Sequence, residues 1–477
     1  LIPFFGKIAQ FWIISEKYDS TPPSQQSIFL RLMQKRYVAV GTGGRVVMFI
    51  NPIAEKYRDS AKLVGFCDIS RIRMEFHVAR LKEEYGYDEE IALYPAEDFD
   101  RMLEEQKPDA VIVCSVDATH ADYIVRSVKA GCDVIVEKPI AINAEQCAAI
   151  QDAVRSSGKN VRVTFNYRWS PGVSKVRELI RSGVIGKVHH VNLQYLLDTR
   201  HGADYFRRWH ANMDKSGGLL VHKSTHHFDL VNWWLDSIPD QVFANGNLAF
   251  YGRENAIARG DDHLTGYDRY TGSGASSDPF YIDLSDSKLY FDAEKDSGYI
   301  RDRNVFRDDV DIYDTMSVTA TYRSGAILTY SLVAYCPYEG FRVSFAGDRG
   351  RIEYTELHGS HLIMGQDDKD LAAEQARIAS GQKHHELTVY PHFEPSYEVE
   401  VPIAEGGHGG GDPLIQEQIF SNDPPVENLN RNAGWEQGIA SALLGISANR
   451  SIETGLPVRV NDLVPIRPNA SKLSELT

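Results

Sequence analysis

Between Arg36 and about Val163, short β-rich runs alternate with helical patterns. The runs are YVAV (Tyr37–Val40), LVGFCD, AVIVCSV, DVIVEKP and VRVTFNY. The intervening segments, including Met74 to Tyr85 and His120 to Ala130, carry apolar residues at spacings of three and four, as crossover helices do. Near-continuous apolar strands joined by helices predict a parallel sheet covered on both faces. The whole chain of 477 residues exceeds what one core serves, so at least two domains are expected.

Beyond Tyr167 the texture changes. A helix is expected around Val173 to Arg181, then a turn-rich Ser182 to Lys187, then HVNLQYLL as a strand. TMSVTATY, AILTYSLVAY, FRVSFAG and RIEYTEL follow closely enough to predict a largely antiparallel sheet. Arg253 to Asp314, rich in Asp, Gly, Ser and Tyr, is too long for a routine connection and reads as an insertion. A surface excursion or subunit contact and a cover over the substrate are both open for it. GGHGGGD (Gly406 to Asp412) reads as a flexible elbow, and a late helix is expected near Gly438 to Asn449. The expected organisation is an extension over 1–32, a first domain over 33–163 and a second over 164–477 carrying the insertion at about 253–314. The extension is expected to be dispensable, which a chain beginning at Met33 that failed to fold would refute.

Composition narrows the class. Apolar residues at 43% and charged residues at 25% describe a packed globular chain. A formal charge of -15 repels phosphodiester backbones and anionic headgroups, so neither nucleic acid nor a membrane is an expected partner. Residues 1–15 are apolar but interrupted by Lys7 and too short to span a bilayer. Cys67, Cys114, Cys132, Cys147 and Cys336 are odd in number, dispersed and free of CxxC, which fits a reducing cytoplasm and signals no zinc site.

Gly41-Thr42-Gly43-Gly44-Arg45 follows YVAV directly, where a strand turns into a helix and glycine permits close backbone approach to a pyrophosphate. A glycine pair alone is also what an ordinary tight turn uses, and Val46 stands where a third Gly or Ala is usual. Asp68 strengthens the cofactor reading, because it ends the next strand at the spacing of a ribose-binding acid. Its carboxylate favours NAD. Arg71 and Arg73 nearby leave NADP open.

Several blocks, in order, resemble the Gfo/Idh/MocA family of glucose-fructose oxidoreductases and inositol dehydrogenases. They are VAVGTGGR, CSVDATHADYIVRSVKAGCDVIVEKPIA, VTFNYRWSP, SGVIGKVHHV, GGLLVHKSTHHFDL and ISANRSIETGLPVRV, covering nearly the whole chain after Met33. The resemblance implies an α/β protein. Its N-terminal part would be a Rossmann dinucleotide-binding domain and its C-terminal part an α/β domain with an open, mostly antiparallel sheet. It also implies sugar or polyol chemistry and a homo-oligomer, dimer or tetramer. By position, Ser115 and His120 resemble the cofactor-lining loop, while Glu137 and Lys138 match the Glu-Lys-Pro turn beside the nicotinamide. Pro139 can carry a cis bond. Asn166, Tyr167 and Arg168 resemble the segment entering the cleft, with Asn166 and Arg168 toward the cofactor and Tyr167 toward the substrate. A strand end packing through Tyr167 and Trp169 is the other reading.

In GGLLVHKSTHHFDL, His222 and His226 are four apart and would share one helix face, with Lys223 and His227 turned away from it. The resemblance assigns acid/base work to His226, with Lys138 arriving from the other domain; Lys223 and His227 are candidate substrate contacts. Alcohol oxidation needs a group that takes the hydroxyl proton and a cation that stabilises developing alkoxide, and imidazole and ammonium suit both. Where the family mostly has an acid, this chain has His222, and Asp229 is a candidate substitute. A zinc reading of the cluster is disfavoured because HExxH is absent. Packing of buried imidazoles is the bland account of the cluster. The leading expectation is an NAD(P)-dependent dehydrogenase or reductase for a sugar, sugar derivative, glycoside or polyol. The competing ones are a glycosidase working by transient oxidation and elimination with retained NAD, and a non-catalytic sensor.

Overall fold

Val38, Ala39 and Val40 are fully buried, as a strand flanked by helices on both faces must be. They belong to β1 (Lys35–Val40) in a computed structural model that describes residues 34–358, 385–402 and 407–477. The extension over 1–32 lies outside the described residues. The first sheet continues with β2 (Ala61–Asp68), β3 (Ala92–Pro95), β4 (Ala110–Val113), β5 (Asp133–Val136) and β6 (Val161–Val163). In space the order is β3-β2-β1-β4-β5-β6, all pairs parallel. The order reverses between β1 and β4, which opens a crevice at the carboxyl ends of those strands. The predicted crossover helices form at Arg71–Tyr85 and His120–Lys129. Strand β3 was not anticipated: ALYP is too short for a periodic signal and pairs only with β2.

Among the described residues the second sheet has nine strands. These are β7 (Val188–Asp198), β8 (Pro239–Asn247), β9 (Thr315–Tyr322), β10 (Ile327–Cys336), β11 (Gly340–Gly347), β12 (Gly350–Leu357), β13 (His385–Pro391), β14 (Tyr397–Glu398) and β16 (Val458–Arg459). Only β7 and β10 pair in parallel, so the sheet is mostly antiparallel, and it is open. On β9 and β10 buried residues alternate with exposed ones, so one face packs and the other meets solvent. The helices Ser224–Leu235 and Trp435–Thr454 pack together. Just before the second of them, β15 (Ala433–Gly434) joins the first sheet antiparallel to β6.

One expectation needs correction. The described part of the glycine-rich stretch does not form a free elbow; it lies within the helix Gly407–Phe420, with Gly409 and Gly410 at positive φ. The insertion is folded: Tyr270, Val305 and Phe306 are buried, and Arg207 donates through both Nε and Nη2 to the carbonyl of Phe280. Among the described residues no helix is long and apolar enough to cross a membrane.

Candidate active site

The turn after β1 depends on Gly41, whose φ of +81° is a glycine conformation. A Cβ there would lie 2.5 Å from the backbone nitrogen of Ser115. The missing side chain therefore lets the β1 and β4 ends close on each other at the switch point. Thr42 donates from both its backbone nitrogen (2.5 Å) and its hydroxyl (3.0 Å) to Oδ2 of Asp68, and Ser70 donates from its nitrogen to Oδ1 (2.8 Å). Asp68 is thereby fixed at the crevice beside Gly43 and Gly44, with Thr42 buried behind it.

The crevice widens into a cleft of about 600 Å³ lined from both domains. Ser115, His120, Glu137 and Lys138 contribute from the first domain, and His222, Lys223 and His226 from the second. The ring of His120 lies between the carbonyls of Ser115 (3.1 Å) and Pro139 (2.7 Å). The Lys138–Pro139 bond is cis. Arg45 meets Glu137 at 2.6 Å, and Lys138 Nζ donates to the carbonyl oxygen of His222 at 3.0 Å. Burial pulls the Lys138 ammonium down to about 8, against the opposing effect of Asp117 and Glu137.

The histidine segment is built differently from the single helix expected. A short helix, Leu219–His222, ends before Lys223, and a second helix begins at Ser224. Lys223 therefore shares the cleft with His222 and His226 instead of turning away, and its Nζ lies 4.9 Å above the Tyr195 ring. His227 does turn away. It stacks on Tyr195 at 4.0 Å and approaches the Tyr330 hydroxyl at 2.7 Å, so it is not on the cleft wall.

Of the segment 166–168, Tyr167 comes closest to the site: it is buried with its ring 5.2 Å from that of His226. Asn166 and Arg168, expected at the cofactor, do not line the cleft. Asn166 donates to Asp412 at 2.6 Å. Arg168, fully buried, grips both carboxylate oxygens of Asp229 at 2.7 and 2.6 Å and also donates to Gln437. That bidentate pair also removes Asp229 as a partner for His226, since its oxygens serve Arg168 and Ser441.

The carboxylate beside the histidines is one the sequence reasoning passed over. Asp117 Oδ2 lies 2.5 Å from His222 Nδ1, across the domain boundary. Burial drives both groups toward neutrality: Asp117 is pushed well above the usual carboxylate range and His222 well below the usual imidazole range. Asp117 sits in the quoted block CSVDATH, between Ser115 and His120, so the signal was a lone acid in the cofactor-lining loop. His201, Tyr205, Arg208 and His210 complete the far wall and were also not singled out. Among the described residues no group of His, Cys, Asp and Glu is arranged to hold a metal ion.

A Rossmann-type crevice facing an open antiparallel sheet, with an ammonium and imidazoles between them, defines a nicotinamide-dependent oxidoreductase. Residues 35–165 match the model of the oxidoreductase family, NAD-binding Rossmann fold, and residues 177–460 match its C-terminal alpha/beta domain. The chain belongs to this family, Gfo/Idh/MocA, and its first domain is an NAD-binding domain. It is 36% identical over 446 residues to YteT of Bacillus subtilis, named as an oxidoreductase, with 90% of this chain and 98% of that one covered. It is 31% identical over 152 residues to the D-glucoside 3-dehydrogenase of Escherichia coli, covering 32% of this chain and 41% of that protein. The fold is similar to that of the WlbA dehydrogenase of Bordetella pertussis in complex with NADH and UDP-GlcNAcA. The TM-score is 0.57 at 16% identity, with 89% and 98% of the two chains covered. The residues present fit a dinucleotide: at Gly43 the turn faces open space, with nothing within 4 Å of where a Cβ would stand, and Asp68 offers acceptors to ribose hydroxyls.

Proposed function

We propose that the protein transfers hydride between NAD and a secondary hydroxyl or ketone of a sugar, sugar derivative, glycoside or polyol. The observation that carries this reading is the meeting of Lys138 from one domain with His222, Lys223 and His226 from the other in one cleft beside the glycine turn. The D-glucoside 3-dehydrogenase of E. coli and the myo-inositol 2-dehydrogenase of Thermotoga maritima, 25% identical over 193 residues, act on compounds of this kind by name.

Bound NAD supplies the hydride acceptor. The chain's own residues manage the proton. His226 takes it from the substrate hydroxyl, and Lys138, held by the His222 carbonyl, places positive charge beside the forming alkoxide. A proton can shift between Asp117 and His222 without changing the net charge of the pair, which puts a carboxyl group against the histidine that stands where the family mostly has an acid. Lys223 and Tyr205 lie on the wall that a polyhydroxylated ring would contact.

The test is NADH formation, read by absorbance, across a panel of sugars, polyols and glycosides, with aglycone release measured in parallel on aryl glycosides. His226→Ala is expected to abolish turnover while leaving folding and NAD binding intact. Unchanged kcat in that variant, or aglycone release without absorbance gain, would overturn the proposal.

A further inference from the structure

The insertion reaches back to the first domain, and it does so at the half of the crevice remote from the reacting groups. Tyr290, in the turn of helix Lys288–Asp292, accepts a hydrogen bond from the Gly44 nitrogen at 3.1 Å. A Cβ on Gly44 would stand 2.7 Å from that hydroxyl, so the glycine is what admits the phenol. Asp296, further along, accepts from the Ser70 hydroxyl (2.8 Å) and from the Ile72 nitrogen (3.1 Å). Ser70 caps the helix Arg71–Tyr85, so a carboxylate of the insertion occupies the first turn immediately beyond Asp68.

The arginines next to Asp68 are also accounted for. Arg73 is buried, 3.8 Å from Asp68, donating to the Leu289 carbonyl and the Ser297 hydroxyl, with its guanidinium 5.5 Å from the Tyr299 ring centre. Arg71 is exposed and paired with Glu75 on its own helix. An adenosine ribose seated on Asp68 would present its 2′ position to this corner. A phosphate there would meet two carboxylates, with the Ile72 and Arg73 nitrogens already donating to Asp296 and Ser70 and the Arg73 guanidinium committed elsewhere. At the other contact, the Tyr290 hydroxyl uses its lone pair on Gly44 and keeps its own proton for donation. A pyrophosphate on the glycine turn is the anion within its reach.

We propose that the segment from Tyr290 to Tyr299 is part of the dinucleotide site. Asp296 excludes the 2′-phosphate of NADP, and Tyr290, which takes up the Gly44 N–H, offers its own O–H to the pyrophosphate in its place, from a second segment of the chain, and so slows release of NAD. This rests on the NAD-binding fold and not on the substrate proposed above, so binding measurements test it without turnover. The Arg269 ion pairs with Glu294 (2.8 Å) and Asp302 (2.6 Å) hold the segment in shape, which makes conservative substitutions at its tip readable.

The experiment is equilibrium binding of NAD and NADP by calorimetry, with NAD release followed by stopped-flow fluorescence, on the full chain and on Asp296→Asn and Tyr290→Phe. The unsubstituted protein is expected to bind NAD at least ~100-fold tighter than NADP, two charge-dependent contacts' worth of discrimination. Asp296→Asn keeps an acceptor for Ile72 but loses the charge, and is expected to narrow that ratio about tenfold, chiefly by tighter NADP binding. Tyr290→Phe keeps the ring that stacks with Arg301 and is expected to speed NAD release about tenfold. A ratio unmoved by Asp296→Asn overturns the selection role, and a release rate unmoved by Tyr290→Phe overturns the retention role. Binding of neither dinucleotide overturns the proposal together with the cofactor reading beneath it.

Discussion

His222 and Asp117 share one proton in a pair that stays net neutral wherever that proton sits, and Lys138 lies against the same backbone. This makes Asp117 a positioning residue whose loss should be visible in rate and not in cofactor affinity. Asp117→Asn is expected to lower kcat about 10- to 100-fold, the usual effect of removing a carboxylate behind a working imidazole, with the Kd for NAD unchanged. The pH profile tests the neutrality of the pair. Burial holds the Lys138 ammonium down to about 8, and the proposed mechanism uses it as the cation, so alcohol oxidation is expected to fall as pH rises through that value. Because the pair is net neutral, Asp117→Asn should lower kcat and leave the falling limb in place; a limb displaced to lower pH would mean that Asp117 carries a charge beside Lys138 and would count against the arrangement. The individual residues Lys138 and His226 were legible in sequence because each lies in a specific block. The Asp117 contact was not, since its partners are 105 residues apart and only the assembled domains bring them together.

Elements account for both what the sequence disclosed and what it concealed. The strand-glycine-helix start was legible because Gly41 must adopt positive φ where β1 ends, and that requirement can be checked: Gly41→Ala adds a Cβ into the Ser115 backbone. The expected outcome is a loss of about 2 kcal/mol or more in unfolding free energy and weakened NAD binding, measured by denaturation and calorimetry. The histidine segment misled because a four-residue spacing was read as one continuous helix, whereas two helices meet at Lys223, whose side chain lines the cleft with His222 and His226. Segment 166–168 misled for a different reason. Family position drew Arg168 to the cofactor, but its guanidinium completes a fully buried pair with Asp229. Arg168→Met leaves that carboxylate buried and uncompensated, so a cost of about 3–5 kcal/mol in stability is expected. NAD affinity of the folded fraction should be unaltered, and a selective loss of NAD binding at full stability would return Arg168 to the cofactor site.

At the scale of the whole molecule, the two-sheet plan was readable from the change in strand texture near Tyr167. How the second sheet closes the cleft was not, because it depends on polar groups from distant strands. Glu339, at the end of the β10–β11 turn, binds His201 at 2.9 Å, and Glu356 on β12 binds His358 at 3.0 Å and the Tyr354 hydroxyl at 2.6 Å. Burial opposes ionisation throughout this cluster. Even so, hydrogen bonds from His201 and His358 hold Glu339 well below its ordinary range, and Glu339 and Glu356 raise His358 to about 9. For a histidine raised in the folded state, the stabilisation is complete below the unfolded value of 6.5 and is lost as pH rises through the folded one. The shift from 6.5 to about 9 corresponds to a contribution on the order of 3 kcal/mol. The two glutamates act at the other end, their contribution being present above the unfolded 4.5 and lost as pH falls below it. Lys138 runs the opposite way, relieving a burial cost as pH rises above about 8, so the raw melting curve mixes both. The comparison that isolates the cluster is therefore the difference in unfolding free energy between the unsubstituted protein and His358→Gln. That difference is expected to be largest near pH 6 and to shrink toward zero above about pH 9. A difference independent of pH would mean that His358 contributes packing and no charge.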